Sequence, residues 1–165
     1  MPAMRTSAKT DYAIRAAVEI ATLSPDGRLV TAERVVDAQQ IPLRFLLTIL
    51  SELRHAGLVD SRRGHEGGYR LARPAETITI ADIICAVDGP LASVAGTRPE
   101  ALELRGSAVP LREVWICLRS SICAVLDRVT LAHIVSGRIP PEVTVLADDP
   151  GAWFTRGDDR RPDQR

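Results

Sequence analysis

Five arginines, Arg54, Arg62, Arg63, Arg70 and Arg73, fall within residues 53–73 of a chain whose 21 basic and 21 acidic residues otherwise cancel. Only Asp60 and Glu66 oppose them there, so five positive charges against two negative leave a local charge of +3. Three glycines, Gly64, Gly67 and Gly68, are interleaved with them. Glycines let a backbone come close to a phosphate, and a guanidinium can enter a narrow minor groove where negative potential is focused. Arg62, Arg63, Gly64 and His65, at the tip of a predicted hairpin, are therefore candidate contacts to a nucleic-acid backbone; an ordinary basic surface hairpin is the alternative. Just upstream, Arg44, Leu47, Thr48 and Ser51 recur at i, i+3, i+4, i+7, which places them on one face of a helix. Such a face fits the major groove. Arg44 could pair with guanine or hold a phosphate, Thr48 and Ser51 could reach bases or phosphates, and Leu47 could touch a thymine methyl. A merely solvated face is the competing reading.

Other chemistry finds little support. His55, His65 and His133 lack metal-ligand spacing, and Tyr69 stands where a zinc-protease motif beginning at His65-Glu66 would need its second histidine. The glycine cluster follows a strand but precedes another strand, which is the wrong setting for a nucleotide loop. No nucleophile elbow or Walker loop occurs, so no enzyme is expected. Cys85, Cys117 and Cys123 have no disulfide-framework spacing, which fits a reducing compartment. They read as buried structural thiols with nothing beside them to lower a thiol pKa. Cys117 and Cys123, six apart, lie about 120° from one another around a helix. The opening residues lack the apolar stretch of a signal peptide and no run reaches the ~20 apolar residues of a membrane span, so a cytoplasmic protein is expected. All basic residues but Lys9 are arginine, a bias read as genomic composition.

These side chains need elements to position them. Residues 7–23 predict a helix with an apolar face at Ile14, Ala17, Val18 and Ala21. Thr31 suits an N-cap for a short helix to Ala38, and residues 39–41 a tight link. The next helix is expected from Pro42 to Ala56, with a stripe at Leu43, Leu46, Ile49, Leu50 and Leu53, ended by Gly57. Two short helices so joined make a helix-turn-helix. Strands at 58–62 and 69–72 would form the hairpin, placed as a wing. Thr79 and Asp82 predict a capping box on a helix to Val87. Residues 91–109 read as a linker loop. A long helix follows, from about Pro110 to Arg128, and Thr130 caps a short one over 131–135. Leu111, Trp115, Leu118, Ile122, Val125 and Val129 are spaced 4, 3, 4, 3, 4, a coiled-coil-like seam favouring a symmetric interface between two copies over a single-chain core.

At this level of detail the chain resembles the Rrf2 family of bacterial transcription regulators. The resemblance rests on MRTSAKTDYAIRA, on IPLRFLLTILSELRHAGLVDSRRGHEGGYRLARP and on ITIADIICAVDGP, and continues more weakly through PLREVW and VTLAHIV. It implies an N-terminal winged helix-turn-helix, a long dimerisation helix and a near-palindromic operator. By position it also implies that Lys9 and Tyr12 lie in a first-helix segment touching DNA backbone, that Arg44 and Thr48 lie on the recognition helix, and that Arg63 and Gly64 lie at the wing. Leu47 departs from members with an acidic residue there that influences base preference. Well-known members bind an iron–sulfur cluster through three cysteines in the loop before the long helix; here LASVAGTRPEALELRGSAV contains none.

The expectation is a mainly α protein with a small β-hairpin wing, a winged helix-turn-helix plus a long dimerisation helix. Residues 4–90 would form the DNA-binding domain, 91–109 the linker, 110–136 the dimerisation region and 148–165 a disordered tail. It would bind double-stranded DNA as a homodimer, as a repressor, with no cofactor and no membrane. Competing readings are a protein-interaction module or a co-sensor acting with a metabolic enzyme partner, and a redox or iron–sulfur-responsive regulator with unconventional ligands.

Overall fold

A computed structural model describes residues 7–153. The first helix, α1 (Ala8–Leu23), runs through the centre of the N-terminal unit and touches α2 (Ala32–Gln39), α3 (Leu43–His55), α4 (Ile80–Asp88), α6 (Leu131–Ser136) and the second strand of the hairpin. Its buried face is Thr10, Ala13, Ala16, Ala17, Ile20 and Ala21, turned from the face expected; Ile14 and Val18 are only partly covered. The alanines explain the rotation, because short side chains let several helices approach one axis. The Ser7 hydroxyl caps α1 by accepting from the Thr10 amide at 3.0 Å.

Gln40, in the left-handed region at φ 53°, ends α2, and the three residues 40–42 turn the chain into α3. Thr31 precedes α2 in extended conformation but makes no side-chain capping bond, contrary to expectation. Pro42 stands just outside α3 rather than as its first residue. Leu46, Ile49, Leu50 and Leu53 of α3 are buried, while Leu43, expected in the same stripe, is largely exposed.

The hairpin pairs β1 (Val59–Arg62) with β2 (Gly68–Leu71), antiparallel, with Val59 opposite Leu71 and Arg62 opposite Gly68. Val30 adds a third edge through reciprocal 2.8 Å backbone bonds with Tyr69. This edge makes Gly68 obligatory, since a Cβ there would lie 2.7 Å from the Val30 carbonyl oxygen. At Gly67 a Cβ would strike the Arg62 carbonyl.

The capping box of α4 forms as expected, with Thr79 and Asp82 exchanging bonds at 3.1 Å. Residues 91–109 contain two short 3-10 turns, at Pro99–Ala101 and Gly106–Ala108. The long helix α5 spans Leu111–Leu126, two residues shorter than expected at its C-terminal end. Chain then returns to the winged unit: the Ile80 amide donates to Val129 and the Leu131 amide to Ile78, both at 2.9 Å. The predicted Thr130 cap forms a box with His133, and Leu131 is fully buried in the core against α1. A short α7 (Pro141–Thr144) and 3-10 turns at Val145–Ala147 and Pro150–Trp153 were not anticipated. The last of these turns falls at the start of the expected tail, with the Trp153 indole donating to the Ala147 carbonyl at 2.7 Å. The rest of that tail lies outside the described residues.

Candidate nucleic-acid interface

Burial of Leu46, Ile49, Leu50 and Leu53 fixes how α3 is rotated, and so turns Arg44, Leu47, Thr48 and Ser51 outward together. The Thr48 hydroxyl donates back to the Arg44 carbonyl at 3.2 Å, and His55 Nδ1 lies 2.6 Å from the Ser51 carbonyl. Leu47 remains 44% exposed and Phe45 59% exposed. Sequence reasoning passed over Phe45; its position between the apolar stripe and the polar face was the available signal.

The wing stands beside this helix. A cleft of about 280 Å³ between them is lined by Leu47, Ser51, Arg54, Ser61, Arg62 and Arg63. It draws together residues from the recognition helix and the hairpin that sequence reasoning treated as separate patches. Arg54, counted in the sequence only for its charge, donates to the Ser61 hydroxyl at 3.3 Å and so links α3 to β1. Arg62, Arg63, Gly64 and His65 are all exposed, and among the described ion pairs Arg62 and Arg63 have no acidic partner, whereas Arg70 faces Asp60 at 3.7 Å. Unpaired guanidiniums beside hydroxyls are donors in search of an anion.

The start of α1 is different. The Lys9 ammonium donates to the Val87 carbonyl at 2.6 Å and pairs with Glu52 at 2.9 Å, leaving its side chain 39% exposed. Ser7 donates to Asp88 at 2.9 Å, and buried Thr10 donates to the same carboxylate. Together they lock α1 to the end of α4, and Lys9 reaches on to α3. Tyr12 is half-buried against the core, with the Arg15 guanidinium 5.7 Å from its ring centre. Lys9 and Tyr12 therefore have internal partners that the outer face of α3 lacks.

Of the six predicted seam residues, Leu111 is exposed, and Trp115, Leu118, Ile122 and Val125 are partly exposed. Val129 falls beyond α5 and is already buried by its own chain. The loop clamps the helix from one side: Arg119 pairs with Glu100 at 2.6 Å and Arg112 donates to the Leu102 carbonyl at 2.7 Å.

The cysteines are a correction. Cys85 and Cys117 are exposed and Cys123 is partly so. Cys85 lies outside the buried face of α4, made by Ile80, Ala81, Ile83 and Val87, and α5 has no fully buried residue in which a thiol could hide. Burial, then the Asp127 carboxylate, pushes the Cys123 thiol above its ordinary value. Among the described residues no three His, Cys, Asp or Glu side chains converge as metal ligands. Iron–sulfur ligation asks for converging thiolates, so these residues do not fit a cluster. No helix among them is long and apolar enough to cross a membrane.

A helix-turn-helix whose second helix faces outward beside a basic two-stranded wing defines a winged helix-turn-helix regulator. The model of one such family, Rrf2, described as "Iron-dependent Transcriptional regulator", matches residues 6–137. The chain belongs to the Rrf2 family and is a transcription regulator, not an enzyme. It is 47% identical over 146 residues to Rv1287 of Mycobacterium tuberculosis, named as an HTH-type transcriptional regulator, covering 88% of this chain and 90% of that one. It is 33% identical to the HTH-type transcriptional regulator IscR of Cereibacter sphaeroides, covering 84% and 91%. Among solved structures it is similar to CymR, the global cysteine regulator of Bacillus subtilis, at 32% identity and a TM-score of 0.67, covering 81% and 98%.

Proposed function

We propose that this regulator represses transcription as a homodimer on a two-fold symmetric operator, without a resident iron–sulfur cluster. The observation that carries the reading is the cleft between α3 and the wing, where Ser51, Arg54, Arg62 and Arg63 converge. One phosphate seated there would be held from both elements at once, fixing α3 in the major groove with Arg44, Leu47, Thr48 and Ser51 toward base edges. Arg63, Gly64 and His65 would follow the backbone into the adjacent minor groove. Lys9 contributes by holding α1 against α3 and α4, its exposed portion free to meet a flanking phosphate, and Tyr12 by packing against the core.

The dimer is supported by α5. Leu111, Val114 and Ile116 are exposed along it, and Trp115, Leu118, Ile122 and Val125 are incompletely covered. Pairing two such helices would bury this surface and set two recognition helices roughly 34 Å apart, one DNA turn. The cofactor-free reading rests on a loop without cysteine and on the lack, among the described residues, of three converging ligand side chains.

Genomic fragments retained by the purified protein supply the operator, and salt titration on that operator supplies the test. Each phosphate contact contributes about 0.9 to the log–log salt slope. Arg63→Ala removes one contact from each subunit, so it should lower the slope by about 1.8, twice that amount, and weaken binding across all sequences alike. Unchanged affinity would remove the wing from the interface.

A further inference from the structure

Cys85 of α4 and Cys123 of α5 line one cavity of about 260 Å³, where the two helices meet. Asp82, Arg98, Glu100, Arg119 and Asp127 complete its charged lining. Cys117, though on the same helix as Cys123, is not among its lining residues. The two thiols differ in setting: Cys85 is open to solvent, and Cys123 is partly covered. Each also lies within the other's electrostatic reach, since Cys85 is among the groups that push the Cys123 thiol upward.

We propose that Cys85 and Cys123 form a dithiol oxidation site, closed to an intrachain disulfide by hydroperoxides, which fastens α5 to α4. The exposed Cys85 reacts first. Its thiolate attacks one peroxide oxygen, the S–O bond forms as O–O breaks, and the departing oxygen leaves as water or an alcohol after taking a proton. Cys123 sulfur then attacks the Cys85 sulfenic acid. The S–S bond forms, S–O breaks, and water leaves with the proton Cys123 gives up. Two thiols lose two electrons and two protons in all, and one peroxide is reduced. The raised Cys123 pKa keeps that thiol protonated and so leaves the first attack on peroxide to Cys85.

The bond would join two parts otherwise in light contact. The end of α4 already holds the start of α1 through Val87 and Asp88, and Lys9 extends that hold to Glu52 on α3. Fastening α5 to α4 therefore connects the dimerisation helix to the helix facing DNA. That this alters DNA binding rests on the regulator reading above; formation of the bond does not.

Trypsin, which does not cut before proline, places the three cysteines in separate peptides: Cys85 in residues 71–105, Cys117 in 113–119 and Cys123 in 120–128. Reduced full-length protein is treated with hydrogen peroxide, blocked with a maleimide and mapped by mass. The expected product links 71–105 to 120–128, has lost two hydrogens and carries a maleimide only on Cys117. C117S should form it equally well, and C123S should instead carry Cys85 on to the sulfinic acid. Labelling of Cys85 and Cys123 after oxidation, or bonds dominated by Cys117, would overturn the site. Affinity for retained genomic fragments should differ by about tenfold between the two redox forms, within the usual range of allosteric coupling, and not in C123S. Equal affinities would overturn the switch while leaving the site. If the reduced protein retains no fragment, the regulator reading fails, and the mapped masses still decide the site.

Discussion

The winged unit and α5 follow the same rule of apolar spacing and end in opposite states. In the winged unit the stripe of α3 meets α1, and Ile20, Leu46, Leu50, Leu53, Ile83 and Leu131 are closed off from water. In α5 a comparable stripe runs for 16 residues without one buried side chain, and Val114 stays 55% exposed. Periodicity announces that a face must be covered; it does not say by what. The first stripe is covered by its own chain, so its stability is intramolecular. The second is held only at the edge, by α4 and by the Glu100 and Leu102 clamps. In the proposed dimer a second copy supplies the remaining cover.

The largest expected effect tests that division at its strong end. Leu50→Ala removes side-chain volume from a fully closed core and should cost about 2–5 kcal/mol in urea unfolding. Val114→Ala on the open face should change unfolding by well under ~1 kcal/mol at low protein concentration. Equal costs would erase the contrast. Next comes Leu118→Glu, which sets a charge in the seam. It should weaken self-association roughly a hundredfold by sedimentation. The far-ultraviolet circular dichroism of the winged unit should stay intact. A variant that associates like the parent would move the interface off α5.

Much of the winged unit was legible because local signals and tertiary packing agree there. The Thr79 and Thr130 caps, the α3 stripe and the hairpin are specified within a few residues of themselves. The failures are of another kind. Lys9 could be assigned only through resemblance, and its partners, Val87 and Glu52, lie far along the chain. The buried side of α1 shifted because five neighbouring elements, not periodicity alone, choose which alanines they crowd. Cys85 and Cys117 were expected inside because cysteine usually is, yet they sit on faces that their own chain leaves open. The cleft residue Arg54 was counted for its charge, but its place between helix and wing depends on how the two pack.

Caps give a finer version of the same comparison. Thr79 exchanges two bonds with Asp82, whereas Thr31, equally plausible by sequence, makes none through its side chain. Thr79→Ala should cost about 1 kcal/mol in chemical unfolding. Thr31→Ala should cost close to nothing. Matched costs would mean that the hydroxyl bond is not what distinguishes the two helices.

The smallest effect concerns the clamp on α5. Glu100 sits below its ordinary value of 4.5, first through bonding to its own backbone amide and then through the Arg119 guanidinium. A depressed carboxyl favours the charged, clamped form, so its contribution is complete above pH 4.5 and fades as pH falls through the lower, clamped-state value. Nothing should change at this contact between pH 5 and 8. Trp115, on α5, reports the docking in a W153F background. Its emission in Glu100→Gln should differ from the parent by a constant amount at neutral pH, and that difference should close only in acid, below pH 4.5. A difference that closes near neutrality would assign the titration to another group and free the Glu100–Arg119 pair from any part in holding the helix.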